Sequence, residues 1–301
     1  MARIICIGEA MLELSSRAGA CHLGYGGDTL NTAIHLARLG HDVAYLTALG
    51  ADPFSADLRS KWADERLDTS LILTDTARNP GLYAISVDHA GERSFTYWRN
   101  DSAARQMFAL PEIERVLAEA IQADLLVYSL ITLAVLPAEA RHRLFDVCRQ
   151  VRARGGRVAF DGNYRPRLWQ SASEAQAARD EAIACADIGL PTLEDETLLD
   201  GTTSADAVAA HWQQLGCTET IVKLGPEGCR LPDGSIAAPP HLLKPIDTSG
   251  AGDAFNGGYL AARMNGKAPD VAAQHGHRVA GWVVMRTGAI PPRDADAPYS
   301  A

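Results

Sequence analysis

Asp247-Thr-Ser-Gly-Ala-Gly-Asp-Ala-Phe-Asn-Gly-Gly258 is a glycine-rich turn that runs into the apolar spacing of a helix, with Ala254, Tyr259, Leu260 and Ala262 at its recurring positions. A turn of this kind aims free backbone N–H groups and the positive end of a helix dipole at one point, which makes an anion site. Gly250 and Gly252 let the backbone approach a ligand with no Cβ in the way. Asp253 falls where the helix begins. It can cap the helix, the commonest use of Asp at such a place. A cap alone asks for neither Gly-Ala-Gly before it nor Asp247 and Thr248 upstream. A carboxylate beside an anion hole suits phosphoryl transfer, the base taking a hydroxyl proton while N–H groups hold the phosphate charge.

Outward from this turn the chain alternates between strand-like and helical stretches. Residues 3–8, 43–49, 125–130, 157–161, 188–190 and 220–224 read as strands. Residues 28–39, 139–151, 175–185 and 205–215 read as helices, the first with Asp28 as N-cap and Gly40 as C-terminal stop. That order predicts βα units on a mostly parallel central sheet with helices on both faces, a three-layer α/β sandwich. One segment breaks the alternation. Residues 82–87 and 92–99 flank Asp88-His-Ala-Gly91 and are rich in Thr, Tyr, Ile and Phe, so they read as a β-hairpin. With a further strand at about 11–17 they make a small lid inserted into a single domain over 1–301. Phe95, Tyr97 and Arg99 fall on one face of the hairpin, Tyr83 and Ile85 on one face of its other arm.

Composition narrows the rest. The 301 residues carry 28 Lys and Arg against 37 acids, a net charge of −9, which argues against docking on nucleic acid or an anionic membrane. The longest apolar run, 125–136, is too short for a bilayer and includes Tyr128, Ser129 and Thr132. No signal peptide is legible, and the expected location is cytoplasmic. The six cysteines form no C-x-x-C pair, so disulfide-framework and zinc-ribbon readings fail and reduced thiols, most of them in the core, are expected. His275 and His277 are two apart and do not share a helix face, a poor metal site. P-loop, G-x-G-x-x-G and G-x-S-x-G patterns are absent; Gly24-Tyr-Gly-Gly-Asp-Thr29 carries Thr where the third glycine belongs.

D-T-x-G-A-G-D-x-F at 247–255, Gly26-Gly27-Asp28 with Asn31, and Lys223-Leu-Gly225 together resemble the ribokinase-like (PfkB) family of carbohydrate kinases. Pro80-Gly-Leu-Tyr83, Gly91-Glu-Arg-Ser-Phe-Thr-Tyr-Trp-Arg-Asn100, Asp161-Gly-Asn-Tyr-Arg-Pro-Arg-Leu-Trp169 and Arg286-Thr-Gly-Ala-Ile290 narrow the resemblance to its branch acting on 2-keto-3-deoxygluconate. The resemblance runs through essentially the whole chain. It implies a ribokinase-like sandwich with a β lid, and ATP-dependent phosphorylation of the sugar acid to its 6-phosphate. Asp253 is then the general base, with Gly250, Ala251 and Gly252 as the anion hole. Gly26, Gly27, Asp28 and Asn31 would bind the sugar, and Tyr83, Tyr97 and Arg99 would reach it from the lid. Asn163 and Arg165 would lie between substrate and nucleotide phosphates. Lys223, Gly225 and Gly228 would line the nucleotide loop, with His277 near the adenine.

Mg²⁺ is expected with ATP on chemical grounds. A monovalent cation such as K⁺ is a further candidate. The family's N-x-x-E element is replaced here by Thr192-Leu-Glu-Asp195, so the metal-organising acid among Glu194, Asp195 and Glu196 is open, as is their reading as a solvated first helical turn. Two arginines speak for an acid independently of resemblance: Arg99 on the Tyr97 face, and Arg165 just past a strand end, where open α/β sheets bind ligands. A carboxylate gains charge-assisted hydrogen bonds from such a pair, although Arg99 can also snorkel to solvent and Arg165 can serve ATP phosphates. A fructokinase or ribokinase-like enzyme, and a non-catalytic sugar-acid sensor, stand as alternatives. The exposed strand edges of a lid invite a homo-oligomer.

Overall fold

The strand Arg3–Ile7 is buried on both faces, and its alternation sets the layers. Ile4 and Cys6 pack with Leu30 and Ile34 of the helix Asp28–Arg38 and with Phe255 and Tyr259 of the helix Ala251–Met264. Ile5 and Ile7 pack on the opposite face with Leu144 and Phe145 of Ala138–Ala153 and Ile183 of Ala172–Cys185. A strand covered on both sides reads as a continuous apolar run, which is why these segments were visible. The computed structural model describes residues 2–17, 20–87 and 93–299.

The central sheet has seven strands, all pairings parallel. Its order is Glu219–Thr220, Ile188–Gly189, Arg157–Asp161, Leu125–Ser129, Arg3–Ile7, Asp42–Gly50 and Ile72–Asp75. The apolar run 125–136 is a strand that turns directly into a short helix, Leu130–Val135. Ser129 Oγ accepts from the Thr132 N–H and the Thr132 hydroxyl accepts from the Ser129 N–H, a capping box that accounts for Ser129 and Thr132 in the run.

The second sheet has four strands in the order Ala20–Gly26, Met11–Arg17, Gly81–Val87 and Arg93–Trp98. Met11–Arg17 pairs in parallel with Gly81–Val87, which pairs antiparallel with Arg93–Trp98. The predicted turn Asp88–Gly91 lies outside the described residues. Ala20–Gly26 was not foreseen as a strand, because Gly24 and Gly26 weaken its β signal. It pairs antiparallel with Met11–Arg17 and delivers the chain into the helix Asp28–Arg38.

Two boundaries differ from expectation. The stretch 220–224 divides: Glu219–Thr220 belongs to the central sheet, whereas Val222–Lys223 pairs with Cys229–Arg230 in a three-stranded antiparallel sheet completed by Ile236–Ala237. Asp28 is the first helical residue and Gly27 the N-cap, so Asp28 is not the cap. Its carboxylate is left for other partners. All six cysteines are free thiols. Among the described residues no helix is long and apolar enough to cross a membrane.

Candidate active site

The 247–253 turn is held from below by Asp247, whose carboxylate accepts from the Ser249 N–H at 2.9 Å and the Gly288 N–H at 2.8 Å. Gly250 is the N-cap of the helix Ala251–Met264, in a left-handed conformation with φ +69°. A Cβ there would stand 2.4 Å from the Cβ of Ala289, so both backbone and neighbour demand glycine. Gly252 is different. A Cβ on it would meet only the Lys223 Nζ, at 3.7 Å, and would otherwise project into open space. The Ala251 N–H donates to the Thr248 carbonyl at 3.2 Å, which closes the turn and takes that group out of the predicted anion hole.

Asp253 is the third residue of the helix and does not cap it. Its Oδ2 accepts from the Asn31 Nδ2 at 2.8 Å across the gap between the two helices. Burial, with Asp28 and Asp161 nearby, pushes its carboxyl up to about 8, opposed by the Asn31 hydrogen bond and by Lys223. Asp28 is likewise raised, chiefly by burial, and accepts from the Asn163 Nδ2 at 3.2 Å. Lys223 lies under the turn, its ammonium donating to Asp161 Oδ1 at 2.9 Å and Asn256 Oδ1 at 3.1 Å. A buried cation ringed by acids and placed against a helix N-terminus is suited to an anion whose charge varies during reaction.

A cavity of about 1170 Å³ opens between this turn and the lid. Asp253, Gly250, Asn31, Asp28 and Gly27 line its floor, Asn163 and Arg165 one side, and Tyr83, Tyr97 and Arg99 its roof. Tyr83 and Tyr97 face one another at 5.9 Å, with Phe95 and Tyr97 stacked at 6.4 Å. A Cβ on Gly27 would meet the Glu9 carbonyl at 2.4 Å, so this glycine lets the lid strand and the first βα turn touch. Gly26 lies beneath Tyr83, where a Cβ would meet its hydroxyl at 2.5 Å.

Both arginines already hold carboxylates. Arg99 lies over the Tyr97 ring at 5.8 Å and is ion-paired with Glu9, each side chain buried, so it does not snorkel to solvent. Glu9 also accepts from the Ser102 hydroxyl. Arg165, half exposed, donates to Asp195 Oδ1 at 3.1 Å and to the Tyr164 carbonyl at 2.6 Å. Glu9 and Glu13 line the cavity and escaped the sequence reading. Glu13 accepts from the Tyr83 hydroxyl, and burial together with that carboxylate pushes the phenol up. A lone acid two residues past the end of a buried apolar strand, as Glu9 is after Ile7, was the available signal.

Five predicted nucleotide residues do not line this cavity: Lys223 and Gly252 lie at the turn, and Gly225, Gly228 and His277 lie farther along. Gly225 and Gly228 occupy left-handed or otherwise positive-φ positions after Lys223, and a Cβ on Gly228 would meet the Ala237 carbonyl at 2.2 Å. His277 is buried, its Nε2–H donating to the same carbonyl at 2.8 Å, and burial lowers its pKa. Gly225, Gly228 and His277 thus gather around the small antiparallel sheet.

Within the acidic stretch Glu194 is exposed, as a solvated first turn would have it, whereas Asp195 and Glu196 are not. Glu196 is buried against Arg179 at 2.7 Å and pushed by burial up to about 7. Asp195 is pushed by burial up to about 6, with Arg165 and Lys223 opposing and Asp161 reinforcing. Among the described residues no group of three or more His, Cys, Asp or Glu side chains is placed to hold a metal.

The family model described as pfkB family carbohydrate kinase matches residues 1–296. The 2-dehydro-3-deoxygluconokinase of Dickeya dadantii (strain 3937) is 41% identical over 302 residues, covering 97% of each chain. The crystal structure of 2-dehydro-3-deoxygluconokinase from Thermotoga maritima matches with a TM-score of 0.85 at 21% identity, over 97% of this chain and 96% of that one. That of aminoimidazole riboside kinase from Salmonella enterica, complexed with aminoimidazole riboside and an ATP analog, matches with a TM-score of 0.80 at 25% identity, over 95% of each.

Proposed function

The chain belongs to the pfkB family of carbohydrate kinases, and on that premise we propose that it transfers the γ-phosphoryl group of ATP to the terminal hydroxyl of 2-keto-3-deoxygluconate. The observation that carries this reading is that one cavity is lined both by a buried carboxylate at a helix N-terminus, Asp253, and by two arginines, Arg99 and Arg165. The name of the Dickeya relative points to the same substrate.

Asp253 accepts the proton of the attacking hydroxyl. Asn31 holds its Oδ2, leaving the other oxygen for the substrate. The N–H groups of Gly250 and Gly252, with Lys223 close by, receive the phosphate charge as it develops, the Ala251 N–H being held by the Thr248 carbonyl. Gly27, Asp28 and Asn163 offer partners to sugar hydroxyls, and Tyr83 and Tyr97 cover the sugar and exclude water. Arg99 and Arg165 take the carboxylate end, and Arg165, which lines the same cavity as Gly250, can serve the phosphates as well.

Mg²⁺ needs only one or two carboxylates when phosphate oxygens and waters complete its octahedron. Asp195 and Asp161, which face each other near Lys223, fit that demand without a three-acid cage. When bound, the metal would neutralise and orient the phosphates. K⁺ enters this proposal only as a salt to be varied in the assay. Exposed Trp98 and Leu23 on the lid are the surface on which a homo-oligomer would form.

One observation favours a neutral sugar instead: Glu9 and Asp195 already balance the two arginines. ATP consumption with a panel of sugar acids and neutral sugars separates the two readings. Turnover with 2-keto-3-deoxygluconate, giving a product phosphorylated on its terminal hydroxyl, supports the first. Turnover confined to fructose or ribose supports the second, and binding without ATP consumption supports a sensor.

A further inference from the structure

Ala289, which packs on the N-cap Gly250, is itself held from behind by a histidine on another helix. His35 Nε2 lies 3.2 Å from the Ala289 carbonyl oxygen, and its Nδ1 lies 2.8 Å from the Tyr299 hydroxyl. A carbonyl can only accept, so Nε2 carries the hydrogen. The ring is fully buried, with Arg38 nearby, and its pKa falls to about 3, which keeps it neutral. Nδ1 is therefore bare and must accept, so Tyr299 is the donor. The order is fixed: Tyr299 O–H to His35 Nδ1, then His35 Nε2–H to the Ala289 carbonyl.

The surroundings leave little slack. A Cβ on Gly257 would stand 2.6 Å from the His35 Cβ, so His35 is wedged where the two functional helices touch. The Tyr299 ring stacks on His35 at 6.0 Å, meets Trp282 edge-on at 5.3 Å and lies under the Arg38 guanidinium at 5.5 Å. Arg38 also donates to the Pro291 carbonyl at 2.8 Å. On its other side the 287–289 segment is tied to Asp247 through the Gly288 N–H. Neither His35 nor Tyr299 lines the cavity, while Thr287, Gly288 and Ala289 do.

We propose that Tyr299 is a positioning residue for phosphoryl transfer, acting through His35 and the Ala289 carbonyl to hold the glycine turn at 250–252 in register with Asp253. This rests on the reading of that turn as the phosphate site. Tyr299→Phe keeps the ring stack and removes only the hydroxyl, leaving His35 Nδ1 without its donor. Loss of register at a reacting group far from the change is expected to lower kcat and raise KM for ATP by a combined factor of about three to thirty. KM for the sugar acid is unchanged, because the lid and the Arg99 wall are untouched.

Asp294→Ala is the control. It cuts hydrogen bonds to Trp282 and Arg286 in the same segment and does not touch His35. It should lower Tm and leave kcat and both KM values at native level, assayed well below its Tm. Native kcat and KM for ATP in Tyr299→Phe overturn the proposal, as does an equal kinetic loss in Asp294→Ala. A native enzyme that consumes no ATP with any sugar or sugar acid overturns the underlying reading instead. An active native enzyme indifferent to Tyr299→Phe overturns the positioning role alone.

Discussion

Asn31 Nδ2 donates to Asp253 Oδ2 at 2.8 Å and joins the first turns of two helices over the floor of the cavity. Because Asn31 supplies a donor, an Asn in place of Asp253 can still accept through its carbonyl oxygen. Asp253→Asn therefore keeps the packing and the inter-helix bond while removing the proton acceptor. Turnover should fall by about 10²–10⁴ with ATP binding retained. Steady-state kinetics and ATP titration check it; near-native turnover would remove Asp253 from the base role.

The raised carboxyl of Asp253 gives that variant a pH signature. In the folded, ligand-free protein the group holds its proton to about 8, against an ordinary 3.8. The folded state thus binds more protons than the unfolded chain between those values. The stability contributed is full below 3.8 and is lost as pH rises through about 8. Asp253→Asn removes that slope and should be at least as stable as native above pH 8 by thermal denaturation. For catalysis the sign reverses. The base must be ionised, so native kcat/KM for the sugar, measured at low ATP, should rise with pH toward a plateau with an apparent pKa near 8.

The two glycines of the turn should separate cleanly. Gly250→Ala meets both a left-handed backbone and the Cβ of Ala289, so it should destabilise by at least about 1–3 kcal/mol. Gly252→Val meets only Lys223 at ordinary contact distance and should leave Tm near native. Its branched side chain fills the space between the turn and the Lys223 ammonium, so KM for ATP and kcat should suffer while sugar-acid binding does not. Equal Tm losses in the two variants, or unchanged ATP kinetics in Gly252→Val, would contradict an anion hole here.

The Glu9–Arg99 pair predicts a coupled effect. Both side chains are buried, so Arg99→Ala strands the Glu9 carboxylate and should cost about 3–5 kcal/mol. A Glu9→Gln, Arg99→Met double variant should recover most of that stability by thermal denaturation. Activity on the sugar acid should stay low in both. Recovery of activity along with stability would show that Arg99 serves the fold and not the substrate.

The layered sheet was legible because buried parallel strands such as Arg3–Ile7 and Arg157–Asp161 are short apolar runs between helical stretches. The glycine turn was legible because its function depends on backbone, which glycine spacing reports directly. The partners of charged groups were not. Arg99 and Glu9 lie ninety residues apart, and only the meeting of lid and central sheet brings them together. Lys223 reads along the chain as part of a glycine loop, but its long side chain reaches under the turn to Asp161 and Asn256. Asp28 looks like a helix cap until Gly27 takes that position and frees its carboxylate for Asn163. Side-chain reach across elements leaves no local pattern.

A cavity lined by Arg99 and Arg165 is expected to select an acid. That selection is tested most directly by kcat/KM for 2-keto-3-deoxygluconate against fructose and ribose on the native enzyme with saturating ATP. A carboxylate held by Arg99 and Arg165 gains charge-assisted hydrogen bonds that a neutral sugar lacks, about 2–4 kcal/mol, or roughly thirtyfold to a thousandfold in kcat/KM. A preference of that size for 2-keto-3-deoxygluconate is the predicted result. Equal or higher kcat/KM for fructose or ribose would contradict it, and would assign the two arginines to Glu9, Asp195 and the nucleotide.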